Sequence, residues 1–67
     1  MEVFMKRITK NNILRYIDMK KEYEKTQDSL LLQEINNFTN DVINKDKHYY
    51  HKLYSYNLSE EQLHYCL

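Results

Sequence analysis

Histidine and cysteine side chains near the end of the chain carry the donor atoms of a zinc site. His48 and His51 are three residues apart, which would place both imidazoles on one face of a helix. His64 and Cys66 would have to supply the other two ligands, but residues two apart on a helix point about 200° away from each other. Structural zinc sites in small domains also use several cysteines, and this chain has one. We therefore expect no metal ion and no other cofactor.

The same segment gives little support for catalysis. Cys66 and His64 have the chemistry of a nucleophile and its base, but we expect them in a terminal turn that frays and lacks a shaped pocket. Glu60 and Glu61 are adjacent and diverge on a helix, so they are better explained as acids that interact with the positive end of a helix dipole. A chain of 67 residues can hardly enclose a substrate and also retain a core. We expect a protein that is not an enzyme.

Cations among tyrosines make nucleic-acid binding the alternative interpretation. Aromatic rings beside basic side chains stack bases and contact phosphates. The candidate residues are Lys45, Lys47, Lys52, His48 and His51, and tyrosines lie between and after them. However, ten basic and ten acidic side chains give a formal net charge of zero, whereas proteins that bind phosphate backbones normally have a basic excess.

These residues must be positioned by helices, because the chain has no glycine and no proline. Both residues are the strongest turn signals, and tight β-hairpins favour Asn-Gly or Asp-Gly pairs. We predict an all-α fold: a small bundle of three or four helices with no sheet, in which residues 1–67 form a single domain. Residues 1–8 fit either a short extended arm or an added turn of the first helix.

Apolar spacing places the first two helices. The first is predicted from about Thr9 or Asn11 to Lys25, and the second begins after Asp28 or Ser29. We expect the two to pack antiparallel. A seam of apolar residues at spacings of four, three and four runs along the second helix and comprises Leu31, Ile35, Phe38 and Val42.

The remaining helices follow an interruption at residues 45–47, where the second helix bends, breaks or continues. Ser59 and Gln62 then fit a capping box at the start of the last helix, and Leu58 and Leu63 fit a hydrophobic staple. The principal buried positions of the whole bundle are predicted to be Tyr16, Ile17, Tyr23, Leu31, Ile35, Phe38, Val42, Leu53 and Leu63.

So short a chain cannot bury all its apolar and tyrosine side chains, and tyrosine is favoured at protein interfaces. We expect a protein partner, or a homodimer through the second helix. The predicted partner-binding residues are Leu30, Leu32, Tyr49, Tyr50, Tyr54 and Tyr56. The expected function is therefore that of a small non-enzymatic regulatory protein that acts by stoichiometric protein–protein binding.

Residue choice gives an indication of source and compartment. Asn, Lys, Tyr and Ile make up 27 of the 67 residues, and Ala and Trp are absent. We take this as a sign of an AT-rich bacterium, and of an inhibitor of a host protein encoded by a phage or mobile element; the base composition of the gene tests the first point. Apolar stretches of at most three residues are too short to cross a membrane, and the lone cysteine cannot form an internal disulfide. We therefore expect a cytoplasmic protein.

Overall fold

The computed structural model describes residues 8–67, and within this range it contains four α-helices and no strand. They are α1 (Lys10–Thr26), α2 (Ser29–Phe38), α3 (Tyr49–Ser55) and α4 (Glu60–Cys66). The predicted all-α bundle is confirmed. Of the segment predicted to be an arm or an added helical turn, only Ile8 is described, and it precedes α1 without being helical; residues 1–7 lie outside the described residues.

Local side-chain hydrogen bonds define the two ends of α1. The Thr9 hydroxyl accepts a hydrogen bond from the Asn12 amide at 3.2 Å, which satisfies one of the free amides of the first turn. At the other end, Gln27 adopts a left-handed conformation with φ 56°, and its amide donates to the Tyr23 carbonyl at 2.8 Å. Without a glycine to take this position, the chain accepts a conformational cost of roughly 1–2 kcal/mol at Gln27.

The helices α1 and α2 form an antiparallel hairpin joined by Gln27 and Asp28. The Tyr16 ring stacks on the Phe38 ring with 5.1 Å between centroids, and these two residues are equidistant in sequence from Gln27. The Tyr16 hydroxyl also lies 3.3 Å from the Thr39 hydroxyl. The predicted antiparallel pairing of the first two helices is therefore observed.

A π-helical segment, Thr39–Ile43, follows α2 and contains Val42, the last residue of the predicted seam. The Asn44 amide donates to the Thr39 carbonyl five residues earlier at 2.9 Å, instead of to the usual carbonyl four residues earlier. The Thr39 hydroxyl donates to the Ile35 carbonyl at 2.9 Å, a bond of the kind that bends helices. Val42 nevertheless stays in the core, because the wider turn keeps it on the inner side.

The helical structure stops after Ile43 and resumes at Tyr49. Of the three outcomes left open for residues 45–47, a bend, a break or a continued helix, the structure therefore shows a break. A turn links the π-helical segment to α3, and the Asp46 carboxylate accepts a hydrogen bond from the His48 amide at 2.8 Å. Aspartate side chains that bond to the backbone two residues ahead favour turns over helix. Asp46 therefore does here what glycine or proline commonly does elsewhere.

The helix α4 begins with the predicted capping box. The Ser59 hydroxyl accepts a hydrogen bond from the Gln62 amide at 3.2 Å, and the Gln62 side chain accepts one from the Ser59 amide at 2.9 Å. Leu58 and Leu63, the predicted staple residues, are both partly buried against the core.

Polar contacts hold α4 across α1. The Lys20 ammonium donates to the Tyr65 carbonyl at 2.7 Å and lies 4.7 Å from the centre of the Tyr16 ring. The Tyr65 hydroxyl donates to the Glu24 carboxylate at 3.0 Å. A cation at a helix C-terminus also interacts favourably with the helix dipole.

Most predicted core positions are buried. Tyr16, Ile17, Ile35, Phe38, Val42 and Leu53 are each at most 8% exposed. The prediction was wrong in degree for Tyr23, Leu31 and Leu63, which are only partly buried. α1 ends at Thr26 and α2 begins at Ser29, so Tyr23 and Leu31 lie near the linked end of the hairpin. The core also contains residues that the prediction omitted, namely Ile8, Ile13, Tyr49 and Cys66.

Replacing Leu53 by alanine should lower the free energy of unfolding by about 2–5 kcal/mol, because the residue is fully buried and the remaining cavity cannot collapse completely. The same substitution at Leu30, which is 69% exposed, should change it by less than about 0.5 kcal/mol. Urea denaturation followed by circular dichroism measures both. Equal effects of the two variants would contradict the placement of α3 against the core.

Candidate functional site

The helix α3 is fixed to the rest of the protein along one side. Tyr49 and Leu53 lie one turn apart and are 4% and 0% exposed. The Tyr49 hydroxyl donates to the Cys66 carbonyl in the last turn of α4 at 2.7 Å. A helix of seven residues is too short to persist alone in water, so these contacts determine where α3 lies.

Tyr49 is thus a core residue, although the sequence assigned it to the partner-binding set. The signal that could have identified it is its position four residues before Leu53, which shares its helix face and was placed in the core. Burial strongly raises the pKa of its hydroxyl, because the charged form would lose its hydration. Tyr49 supports the surface of α3 from below and does not face a partner directly.

Tyr50 and Tyr54 form the exposed part of the predicted set on α3. They are four residues apart on the same side of the helix, and 61% and 63% exposed. The Tyr50 ring meets the Tyr49 ring edge to face, with 5.3 Å between centroids. We call Tyr50 and Tyr54 the tyrosine pair.

Tyr56, the last tyrosine of the predicted set, fastens the end of α3. It is partly buried, and its hydroxyl donates to the Ile8 carbonyl just before α1. The hydroxyl bonds of Tyr49 and Tyr56 therefore hold α3 at both of its ends.

Leu30 and Leu32 lie elsewhere on the surface. Both belong to the first turn of α2, beside the link to α1, and they are 69% and 37% exposed. The end of α3 approaches the start of α1, which is the opposite end of the helical hairpin. The six predicted partner-binding residues therefore divide into two exposed pairs, the buried Tyr49 of α3, and the partly buried Tyr56 directly after α3.

The three lysines of the nucleic-acid interpretation line one open cleft of about 570 Å³. His48 and His51 are exposed but do not line it. The cleft lies between the start of α1, the π-helical segment and the turn before α3. Its lining consists of Ile8, Thr9, Asp41, Val42, Lys45, Asp46, Lys47 and Lys52.

An ion pair fixes one side of this cleft. The Lys52 ammonium lies 2.9 Å from one Asp46 oxygen, and the other Asp46 oxygen accepts the His48 amide. Both contacts favour the charged carboxylate, so the pKa of Asp46 lies below its ordinary value, with the hydrogen bond from Lys52 as the main cause.

The cleft and the tyrosine pair occupy different sides of α3. Lys52 is two residues after Tyr50 and two before Tyr54, so its side chain leaves the helix about 200° away from each of them. Lys52 and the exposed rings therefore lie on different sides of α3, and neither tyrosine of the pair lines the cleft.

The histidines and the cysteine are not gathered into a site in the part of the chain that the structure describes, where no group of three or more His, Cys, Asp or Glu is arranged to hold a metal ion. Cys66 is buried, and burial raises the pKa of its thiol, an effect that nearby Lys20 partly offsets. Because the thiolate is the metal-binding and nucleophilic form, this environment disfavours both kinds of chemistry at Cys66.

Comparisons with known proteins identify no relative, so a functional argument must start from the fold and from these surfaces. No family model matches the sequence, and no curated protein and no solved structure is significantly similar to it. Within residues 8–67, no helix has the length and apolar character needed to cross a membrane.

Replacing Tyr49 by phenylalanine should lower the free energy of unfolding at pH 7 by about 1–3 kcal/mol, because the Cys66 carbonyl loses its hydrogen-bond donor. The difference between wild type and Tyr49→Phe should shrink as the pH rises above about 10, the ordinary pKa of tyrosine. Above that pH the unfolded chain releases the Tyr49 proton while the folded protein retains it, so only the wild type loses stability through this group. Denaturant titrations from pH 7 to 11 measure both effects.

Replacing Asp46 by asparagine should lower the melting temperature at pH 7, because it removes the charge that pairs with Lys52. This difference from wild type should narrow as the pH falls below about 4. The pKa of Asp46 is lowered by folding, so its contribution is present above the unfolded value and is lost as the folded carboxylate is protonated. Thermal melts of both proteins between pH 7 and 2.5 test this, and a difference that persists unchanged at pH 2.5 would argue against the ion pair.

Proposed function

We propose that this protein acts by stoichiometric binding to a larger protein, with the tyrosine pair as its main contact. The supporting observation is that Tyr50 and Tyr54 are more than 60% exposed on a helix that is fixed in the core through Tyr49 and Leu53. Tyrosine contributes a large contact area at low entropic cost, and its hydroxyl group remains hydrated at the edge of an interface.

The way α3 is held favours this role. Hydroxyl bonds from Tyr49 and Tyr56 attach the helix to α4 and to the residue before α1. A contact surface that is already ordered loses less conformational entropy on binding. The tyrosine pair therefore has the properties of an anchor that enters an apolar depression on a partner.

A second contact is available at Leu30 and Leu32. These side chains lie where α1 and α2 are joined, away from the end of α3. The leucines and the tyrosine pair would therefore contact two separate surfaces, either on one partner or on two. In its most specific form the proposal is of a cytoplasmic inhibitor that masks or bridges a surface of a host protein and is encoded by a phage or mobile element. Homodimerisation through α2 would use the same leucines.

Nucleic-acid binding is the second candidate function, because Lys45, Lys47 and Lys52 share one cleft. Single-stranded nucleic acids, however, are bound where stacking rings and cations follow one groove. Here the tyrosine pair and Lys52 leave α3 in opposite directions. Protein binding is therefore the function that the arrangement favours.

A photo-crosslinking experiment tests the main proposal. With p-benzoylphenylalanine in place of Tyr54, irradiation of cells of the source organism should give one predominant adduct that contains a single partner protein, identified by mass spectrometry. Adding Tyr50→Ala to this variant should weaken the crosslink strongly, because the neighbouring anchor is lost. Tyr50→Ala alone should lower the free energy of unfolding by no more than about 1.5 kcal/mol, since Tyr50 is exposed and loses only its edge contact with the Tyr49 ring.

The matched control carries the same crosslinker at Asn37, an exposed residue of α2. It should not give the adduct obtained at position 54. Equal adducts from positions 37 and 54, no adduct at either position, or adducts with nucleic acid alone would each contradict the proposal.

A further inference from the structure

The open cleft beside α3 has the chemistry of a site for a charged ligand. Its apolar lining is limited to Ile8 and Val42, which are 4% and 3% exposed, and all other lining residues are polar or charged. Sites for apolar small molecules are lined mainly by hydrophobic and aromatic side chains. A volume of about 570 Å³ is ample for a small polar molecule.

Two cations of the cleft are available to a ligand. The charge of Lys52 is balanced by Asp46, whose two oxygens are already occupied by Lys52 and by the His48 amide. Lys45 and Lys47 are exposed, and within residues 8–67 neither has a carboxylate within 4.0 Å. Because Asp46 is occupied, it does not compete strongly for these two ammonium groups.

The backbone holds the two lysines in place. Asp46 stands between them and fixes the turn through its hydrogen bond to the His48 amide. The π-helical segment supplies Asp41 and Val42 as the neighbouring wall. Helical segments of this type occur frequently at functional sites, and here the segment determines where the cleft opens.

The start of α1 adds to the positive potential. Thr9, which caps α1, lines the cleft, and the first turn of this 17-residue helix contains no acidic residue. The positive end of the helix dipole is therefore not neutralised by a side chain of its own first turn. Of the two acids that line the cleft, Asp46 is already paired with Lys52, so only the negative charge of Asp41 reduces the positive potential of Lys45 and Lys47.

We propose that this cleft binds a small phosphorylated molecule, with Lys45 and Lys47 as the residues that hold its phosphate. A phosphate monoester concentrates nearly two negative charges in one group, so it balances the charges of the two lysines that line the cleft better than a single carboxylate would. A nucleic-acid backbone fits less well, because the exposed rings lie on the other side of α3. The site is distinct from the tyrosine pair, so either proposal can fail without the other.

Amide NMR titration of the full chain with inorganic pyrophosphate tests the site. Sodium chloride is adjusted so that the ionic strength stays constant throughout the titration. We expect saturable shifts confined to the residues that line the cleft. The double variant K45Q/K47Q should raise the Kd by at least about tenfold, because both charge-assisted hydrogen bonds to the phosphate are lost. The matched variant R15Q/K25Q removes the same charge at exposed positions of α1 outside the cleft and should change the Kd by less than about twofold.

Several results would overturn the proposal. Shifts that do not saturate, or the same loss of affinity in both double variants, would show general attraction of anions. Equal shifts with sodium sulfate at the same ionic strength would show that phosphate is not distinguished. Tighter binding of a single-stranded oligonucleotide, with shifts that extend to Tyr50 and Tyr54, would favour the nucleic-acid function. Unchanged helicity of both variants by circular dichroism shows that the comparison is made between folded proteins.

Discussion

The arrangement of three helices, α1, α3 and α4, depends on two carbonyl groups in the last turn of α4. The Tyr65 carbonyl accepts from Lys20 of α1, and the Cys66 carbonyl accepts from Tyr49 of α3. The last carbonyls of any helix lack partners within the helix, and burying them unsatisfied is costly. Here the missing donors come from other elements, so the end of α4 is satisfied only when α1 and α3 are in place.

Tyrosine hydroxyl groups repeat this principle across the molecule. Four of them bond to Thr39, the Cys66 carbonyl, the Ile8 carbonyl and Glu24, and these bonds join residues between 17 and 48 positions apart. Those of Tyr16, Tyr49 and Tyr56, which are buried or partly buried, are each worth about 0.5–1.5 kcal/mol net. In a chain of 67 residues with one cysteine, such bonds supplement a small apolar core. The abundance of tyrosine thus has a structural cause, and only some of these rings remain available for partners.

Features set by neighbouring residues could be predicted from the sequence. The capping box at Ser59 depends on residues three apart in sequence and is found as expected. The start of α1 after Thr9 is one of the two starts that the sequence left open. The end of α2 involves a local bond and also a contact between residues that are distant in sequence. Thr39 bonds to Ile35 and lies against Tyr16, and no spacing pattern distinguishes the resulting π-helical segment from a continued α-helix.

The surfaces were predictable only in part, for the same reason. Tyr49 and Tyr50 are adjacent and chemically identical, yet one is buried and the other exposed, because the direction of α3 is set by its contacts with α4. The sequence grouped the lysines of the cleft with two histidines close to them in the chain. The fold grouped them with Ile8, Thr9 and Asp41, which come from other elements.

The left-handed conformations at Gln27 and Asn57 have a consequence for engineering. These are the two described residues with positive φ, at 56° and 59°. Gln27 directly follows α1, and Asn57 comes two residues after the end of α3. Glycine adopts this backbone geometry without steric cost. A chain that has other residues at such positions can therefore gain stability by substitution. These two positions are therefore places where a single substitution by glycine would remove a steric cost without changing the path of the backbone.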